Sequence, residues 1–346
     1  MKGEHIKELK EIIAKINEKI TEEHEKYIFW CPKDMDKERN KKGYTFYAYG
    51  GRVLDLYYYY SKQKDGTVKP EIKYSIFEKG YEKYYSKIED VRAKLANRQG
   101  NSEVRRNRLL KEIGNDEWKI VMETFKKWAE CPQDSSIDKA NNNNKHKTHY
   151  ERMRETAIAN LNSRYYKEGN IKIIEMESRI SDEDHNINGK KPDLIGVYKN
   201  GDEINFCYIE YKCTTAAMDG NQNPVKHYQV MRDCYTCKPE YFKSYDKRIG
   251  EPIIADLKSL EGVMPKIIFL FSHIRKNIND ELCPCMTLKK AKNRLVDIKN
   301  EIIKDSDNYN NIKDNVKVLI ISDEKEELKI DKLMTVEEAI AKLEND

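Results

Sequence analysis

Two apolar segments that meet at an Asn-Gly pair constrain the fold of this chain more than any other feature. Residues 190–214 read KKPDLIGVYKNGDEINFCYIEYKCT. Asn-Gly is typical of a two-residue hairpin turn because both residues tolerate positive φ angles. The segments on either side of Asn200 and Gly201 are apolar enough to be buried strands, which predicts a β-hairpin within a core sheet.

Three charged side chains lie on this hairpin at one end. With Asn200 and Gly201 as the loop, Asp193 pairs with Tyr208 and is the diagonal neighbour of Glu210. Side chains alternate along a strand, so Asp193, Glu210 and Lys212 are predicted to share one face. Diagonal neighbours lie about 7–8 Å apart, which allows both carboxylates to reach one cation.

A divalent cation would offset the cost of burying two acids side by side. Mg2+ prefers oxygen ligands and retains several waters, so two carboxylates suit it. Lys212 would add a positive charge beside a metal-bound water. The alternative is a surface hairpin whose Glu-Lys pair faces solvent.

The Pro-Asp pair that ends at Asp193 and the Glu-Tyr-Lys triplet from Glu210 to Lys212 resemble the signature of the PD-(D/E)xK nuclease superfamily. The resemblance covers roughly residues 149–272. It implies a restriction-endonuclease-like fold and Mg2+-dependent hydrolysis of phosphodiester bonds, with Mn2+ able to substitute. It also implies that Asp193 and Glu210 bind the metal and that Lys212 assists the attacking water.

The resemblance points to two further residues. Enzymes of the superfamily often carry a glutamate on the helix before the first core strand, and Glu155 matches this position best, with Glu151 second. In the superfamily's exonucleases a glutamine after the lysine strand is followed four residues later by tyrosine. Gln229 matches the glutamine, but Asp233 stands where the tyrosine is expected, which disfavours an exonuclease. A solvated helix glutamate and a capping glutamine are the ordinary alternatives.

Other candidate ligands have ordinary interpretations. Glu175 and Glu177 are expected to form salt bridges at a sheet edge, although either could replace the helix glutamate. Two cysteine pairs could bind zinc or an iron–sulfur cluster, but their spacings are unusual for such sites. Buried, reduced thiols are the commoner outcome. These four cysteines are Cys234, Cys237, Cys283 and Cys285.

The order of elements predicts an α/β fold: a restriction-endonuclease-like mixed β-sheet core flanked by helices, after an amino-terminal α+β domain. Helices are predicted over residues 5–20 and 117–129, with tyrosine-rich strands between them that turn at Gly50-Gly51. A polar, asparagine-rich segment indicates a linker near residue 145. We therefore predict an amino-terminal domain over residues 1–145 and a nuclease domain over residues 146–346.

Positive charge is concentrated in the first half. The net charge of +4 divides into about +7 for residues 1–150 and about −3 for the remainder. A basic stretch could follow a phosphate backbone, or it could be a solvated helix face. Tyrosines 57–60 could stack on bases or fill a core strand. The candidate DNA contacts of the basic stretch are Arg92, Lys94, Arg98, Arg105, Arg106, Arg108 and Lys111.

These features predict a Mg2+-dependent DNA endonuclease of a restriction or phage-defence type. The alternatives are a repair- or transposition-associated nuclease that acts with partner proteins, and a non-catalytic nucleic-acid-binding module. Expected partners are DNA, a second copy of the chain by analogy, and a methyltransferase or another defence or repair protein. No apolar run approaches the roughly 18 residues needed to span a bilayer, and the start lacks a signal-peptide core, so a cytoplasmic location is expected.

Overall fold

The described residues form two compact units, one up to residue 130 and one from residue 149 onward. The predicted linker near residue 145 lies outside the described residues, so the proposed domain boundary stays a prediction. The computed structural model describes residues 3–36, 41–76, 114–130, 149–164, 169–176, 180–182, 187–190, 192–201, 203–213, 265–272, 274, 286–304, 313–321 and 327–345.

The first unit is a four-stranded antiparallel sheet in the order β1-β2-β3-β4, accompanied by helices. The predicted helices and tyrosine-rich strands of this region are confirmed, with ends that differ by up to three residues. The elements are α1 (Gly3–Asn17), α2 (Glu22–Glu25), β1 (Ile28–Asp36), β2 (Lys41–Ala48), β3 (Gly51–Lys62), β4 (Val68–Ile76) and α3 (Asn115–Glu130).

The turn between β2 and β3 lies close to helix α3. Tyr49 and Gly50 adopt positive φ angles of 51° and 79°, and Ala48 pairs with Gly51. The turn therefore forms one residue earlier than the predicted Gly50-Gly51. A Cβ atom at Gly51 would lie 2.3 Å from the ring of Phe125 on α3. The missing side chain therefore lets α3 pack directly against the start of β3.

The second unit contains a five-stranded mixed sheet in the order β11-β10-β9-β8-β5. Strands β9, β10 and β11 are parallel, whereas β8 is antiparallel to both of its neighbours. This mixed sheet with flanking helices confirms the predicted fold class. The elements are α4 (His149–Arg164), β5 (Ile171–Met176), β6 (Ile180–Asp182), β7 (Ile187–Lys190), β8 (Leu194–Asn200), β9 (Glu203–Lys212), β10 (Lys266–Ser272), α5 (Leu288–Lys304), β11 (Val316–Ile321) and α6 (Val336–Asn345).

The sheet is buried on both faces at its centre. Every residue of β10 after Lys266 is buried, as expected of a parallel strand covered on both sides. Helix α4 packs on one face, because the Thr156 hydroxyl lies 3.8 Å from the sulfur of Met176. Met176 pairs with Leu194, and its neighbour Glu175 pairs with Ile195 on the other face of the sheet. Helix α4 therefore covers the face that carries Met176, and Glu175 lies on the opposite face.

The register of the β8–β9 hairpin corrects the predicted one. Its last pair is Asn200 with Glu203, so the turn occupies positions 201 and 202 rather than 200 and 201. Gly201, with φ of 59°, supplies the left-handed conformation at the first turn position, where glycine is favoured. Moving the loop by one residue moves the pairing by two. Each side chain therefore stays on its predicted face, although its partner changes.

Gly196 on β8 should resist substitution because atoms of the neighbouring strand β5 lie close to its α-carbon. A Cβ atom there would lie 2.5 Å from Ile171 Cγ2 and 3.2 Å from the Lys172 carbonyl oxygen. We expect Gly196→Ala to lower the free energy of unfolding by about 1–3 kcal/mol through overpacking. Gly114→Ala is the control, since its Cβ meets only the end of a flexible glutamate side chain. Equal urea midpoints for the two variants would contradict this account.

Candidate functional site

The three charged residues of the hairpin meet at one end of the five-stranded sheet. Asp193 immediately precedes β8, and Glu210 and Lys212 end β9. Leu194 pairs with Ile209, so one further step along the ladder puts Asp193 directly opposite Glu210. This is closer than the predicted diagonal, because opposite Cβ atoms lie about 4.5–5.5 Å apart.

Lys212 lies between the two carboxylates. Its Nζ is 2.8 Å from Glu210 Oε1 and 3.9 Å from Asp193 Oδ2. All three residues are at most 5% exposed. The three charged side chains therefore lie close together on one face, as predicted. The alternative, a Glu-Lys pair that faces solvent, is excluded because the pair is buried.

The backbone of β9 holds Asp193 in place. The Tyr211 N–H donates a hydrogen bond to Asp193 Oδ2 at 2.8 Å. On the other face of β9, the Tyr211 hydroxyl and Ser272 Oγ form a buried hydrogen bond of 2.6 Å. Burial, with a further contribution from Cys213, raises the pKa of Tyr211 well above its usual value, so the phenol stays protonated. This bond ties the end of β9 to the end of β10.

Helix α4 brings two more buried acids to the second unit. Glu151 and Glu155 are one helical turn apart, and both are 0% exposed. Glu151 Oε1 accepts a hydrogen bond from the Cys213 N–H at 3.2 Å, next to Lys212. Glu151 therefore reaches the end of β9, and Glu155 lies about 6 Å further along the helix axis.

The structure adds Arg294, which sequence reasoning did not consider, and it buries Glu175, which was named as a substitute for the helix glutamate but expected to form a salt bridge at a sheet edge. Glu175, on edge strand β5, is 1% exposed and pairs with Ile195, so it shares the face of Asp193. Arg294 on α5 is 5% exposed. Burial lowers the pKa of its guanidinium, and the negative charges of Glu151 and Glu210 oppose that effect.

Negative charge exceeds positive charge among the buried residues of the second unit. Its described residues bury five carboxylates but only two cationic side chains. The donors are carboxylate oxygens, which suit hard divalent cations such as Mg2+. The acids are Glu151, Glu155, Glu175, Asp193 and Glu210, and the cations are Lys212 and Arg294.

Several predicted residues are not tested by these contacts. Tyr58 is buried and its tyrosine neighbours on β3 are half-buried, which favours the interpretation as a core strand. Among the described cysteines, Cys31, Cys207 and Cys213 are buried free thiols. Outside the described residues lie Glu177, Gln229, Cys234, Cys237, Cys283, Cys285 and the basic candidates Arg92, Lys94, Arg98, Arg105, Arg106, Arg108 and Lys111.

Comparison with known proteins gives little. No protein-family model and no curated protein match this sequence. Among solved structures, the restriction endonuclease FokI is similar over 68% of this chain at 15% identity, with a TM-score of 0.24. The chain spans 29% of that enzyme's length. At this TM-score the match carries no information on fold or activity, so the assignment of the site rests on the residues described above.

None of the described helices is both long enough and apolar enough to cross a bilayer.

The Lys212 ammonium should be essential for stability as long as Glu210 is ionised. Lys212→Met removes one partner of a buried ion pair, so we expect a loss of about 3–5 kcal/mol in the free energy of unfolding, measured in urea with EDTA present. Adding Glu210→Gln should recover part of that loss, because it removes the orphaned charge. Lys317→Met, at a half-buried lysine of β11, is the control. A double variant less stable than Lys212→Met would contradict the pairing.

Proposed function

We propose that the second unit is a metal-dependent nuclease that hydrolyses phosphodiester bonds of DNA. The observation that carries the proposal is the buried contact of Lys212 with Glu210 and Asp193 at the end of a sheet. Asp193 and Glu210 would hold Mg2+. The resemblance gives Glu155 or Glu151 as a further acid. Because α4 covers the opposite face of the sheet, such an acid would have to reach the site around the end of β9, where Glu151 lies. Mn2+ offers the same coordination to oxygen ligands.

When bound, Mg2+ lowers the pKa of a coordinated water and offsets charge on the phosphoryl group. The residues of this chain provide orientation and additional positive charge. The Tyr211 N–H fixes one oxygen of Asp193, and so sets the orientation of this carboxylate. Lys212 has three donor hydrogens, so it can retain its bond to Glu210 and also donate to the attacking water or to a phosphate oxygen.

Lys212 also suits the charge that develops during hydrolysis. An ammonium fixed beside the phosphate stabilises the negative charge that grows in the transition state, and its effect is stronger where water is excluded. Arg294 adds a second fixed positive charge near Glu151 and Glu210. Both cations are buried, so little reorganisation is needed during the reaction.

The finer assignment follows the sequence interpretation. We favour a restriction or phage-defence endonuclease in the cytoplasm. Residues 146–346 would form the nuclease domain, in which Gln229 would contact the substrate. Residues 1–145 would engage DNA through the basic stretch. A homodimer would allow both strands to be cut, and a methyltransferase or another defence or repair protein would be its partner. These points rest on the resemblance and on the charge distribution.

Cleavage of DNA tests the proposal directly. We expect the wild-type chain to cut supercoiled plasmid or phage genomic DNA with Mg2+ and to stop with EDTA. Asp193→Asn keeps the acceptor for the Tyr211 N–H but loses the ligand charge, so cutting should fall by at least about a hundredfold while the fold is kept. Asp331→Asn, at an exposed aspartate of the same unit, should cut normally.

The pattern of products separates the alternatives. Discrete bands support a restriction enzyme, and nicking of any DNA supports a less selective nuclease. If the plasmid stays intact with every metal and every Asp193 variant, while the chain still binds DNA, the protein is a binding module and the proposal is wrong.

The two helix acids should differ in their effect on cleavage. The Glu151 carboxylate contacts the end of β9, whereas Glu155 lies one turn away. We therefore expect Glu151→Gln to lower cleavage by about tenfold or more, and Glu155→Gln to lower it less. Single-turnover rates at saturating Mg2+ measure this difference. A larger loss for Glu155→Gln would assign the third acid to Glu155, as the sequence pattern predicts.

A further inference from the structure

We propose that the first unit carries a separate transition-metal site, suited to zinc, formed by His24 and two glutamates. His24 lies on the short helix α2, Glu23 precedes it, and Glu123 lies on α3. One candidate ligand atom from each residue lies within 4.8 Å of the other two. This site is independent of the proposed nuclease chemistry, which involves only residues of the second unit.

The His24 imidazole is buried and oriented by a hydrogen bond, as is common for histidines that bind metal ions. The side chain is 3% exposed, and a hydrogen bond of 2.7 Å joins its Nδ1 to the Tyr49 hydroxyl. Tyr49 is itself 1% exposed and stacks on Tyr27 with ring centroids 4.8 Å apart. Metal-binding histidines commonly use one ring nitrogen for such a supporting bond, which orients the other nitrogen toward the ion.

The other ring nitrogen faces a carboxylate at a distance that fits a shared ion. His24 Nε2 lies 3.5 Å from Glu123 Oε1, which is longer than a good N–H···O hydrogen bond of about 2.7–3.2 Å. Two ligands that are each about 2.1 Å from a tetrahedral ion lie about 3.4 Å apart. The observed separation therefore matches an edge of a zinc coordination tetrahedron.

Glu23 would provide the third ligand after a small movement. Its side chain is 60% exposed, so it can change rotamer at little cost. At present it forms an ion pair with Lys126 on α3. The Lys126 ammonium therefore competes with a metal ion for the Glu23 carboxylate. A divalent ion would replace this ammonium beside Glu23.

The donor set selects the class of ion. One imidazole nitrogen and two carboxylate oxygens suit zinc and similar transition ions, whereas Mg2+ prefers oxygen ligands alone. Three protein ligands also leave a fourth position for water. Because Glu123 lies on α3 and the other ligands lie on or beside α2, the ion would fasten these two helices together.

Zinc binding to the full chain tests the site. We expect isothermal titration with ZnCl2 to show a site that Glu123→Gln weakens at least about tenfold. Glu22→Gln, an exposed neighbour outside the cluster, is the matched control and should leave the affinity unchanged. Circular dichroism in EDTA must show that both variants are folded.

Removing the competing cation gives a test with the opposite sign. Lys126→Gln should strengthen zinc binding by about two- to fivefold, because Glu23 no longer has to leave an exposed ion pair. Co2+ in place of zinc should give visible absorption of a tetrahedral site without thiolate charge-transfer bands. That spectrum distinguishes the cluster from the cysteine pairs.

Three results would overturn the proposal. The first is zinc affinity that is equal in the wild type, Glu123→Gln and Lys126→Gln. The second is a Co2+ spectrum dominated by thiolate bands and unaffected by Glu123→Gln. The third is binding that Asp193→Asn removes and Glu123→Gln does not, since that would place the ion in the second unit.

Discussion

The contact between the Lys212 ammonium and the Glu210 carboxylate is the interaction on which the proposed site depends. Both groups are almost fully buried, and Asp193 lies close enough to Lys212 to share its charge. Buried ions remain stable only when opposite charges and hydrogen bonds surround them. The Tyr211 N–H, itself positioned by the Ser272 bond, therefore matters as much as the three charged side chains.

The two units place charge in different ways. Among its described residues the second unit buries five carboxylates and two cationic side chains, and three of these acids, Glu175, Asp193 and Glu210, share one face of the sheet. Among the described residues of the first unit, His24 is the one buried ionisable side chain with a charged form near neutral pH, and it forms a hydrogen bond with the Tyr49 hydroxyl. One arrangement suits a hard ion with oxygen ligands, and the other suits an ion that accepts nitrogen.

Much of the fold and the central trio could be predicted from the sequence. The apolar runs and their period predicted the strands, and alternation along them placed Asp193, Glu210 and Lys212 on one face. The exact pairing could not be predicted, because Asn-Gly and the following Gly-Asp both favour a two-residue turn. Arg294 could not be assigned, since no local pattern shows which distant helix face packs near the hairpin.

The sequence by itself determined the mixed α/β class and the face shared by the three hairpin charges. These follow from local periodicity, and a two-residue change of register leaves the face unchanged. Only the tertiary structure decided that the trio is buried, that Glu151 reaches the end of β9, and that Arg294 lies near the acids. Burial and charge balance depend on contacts between residues far apart in the chain, and local spacing carries no information about them.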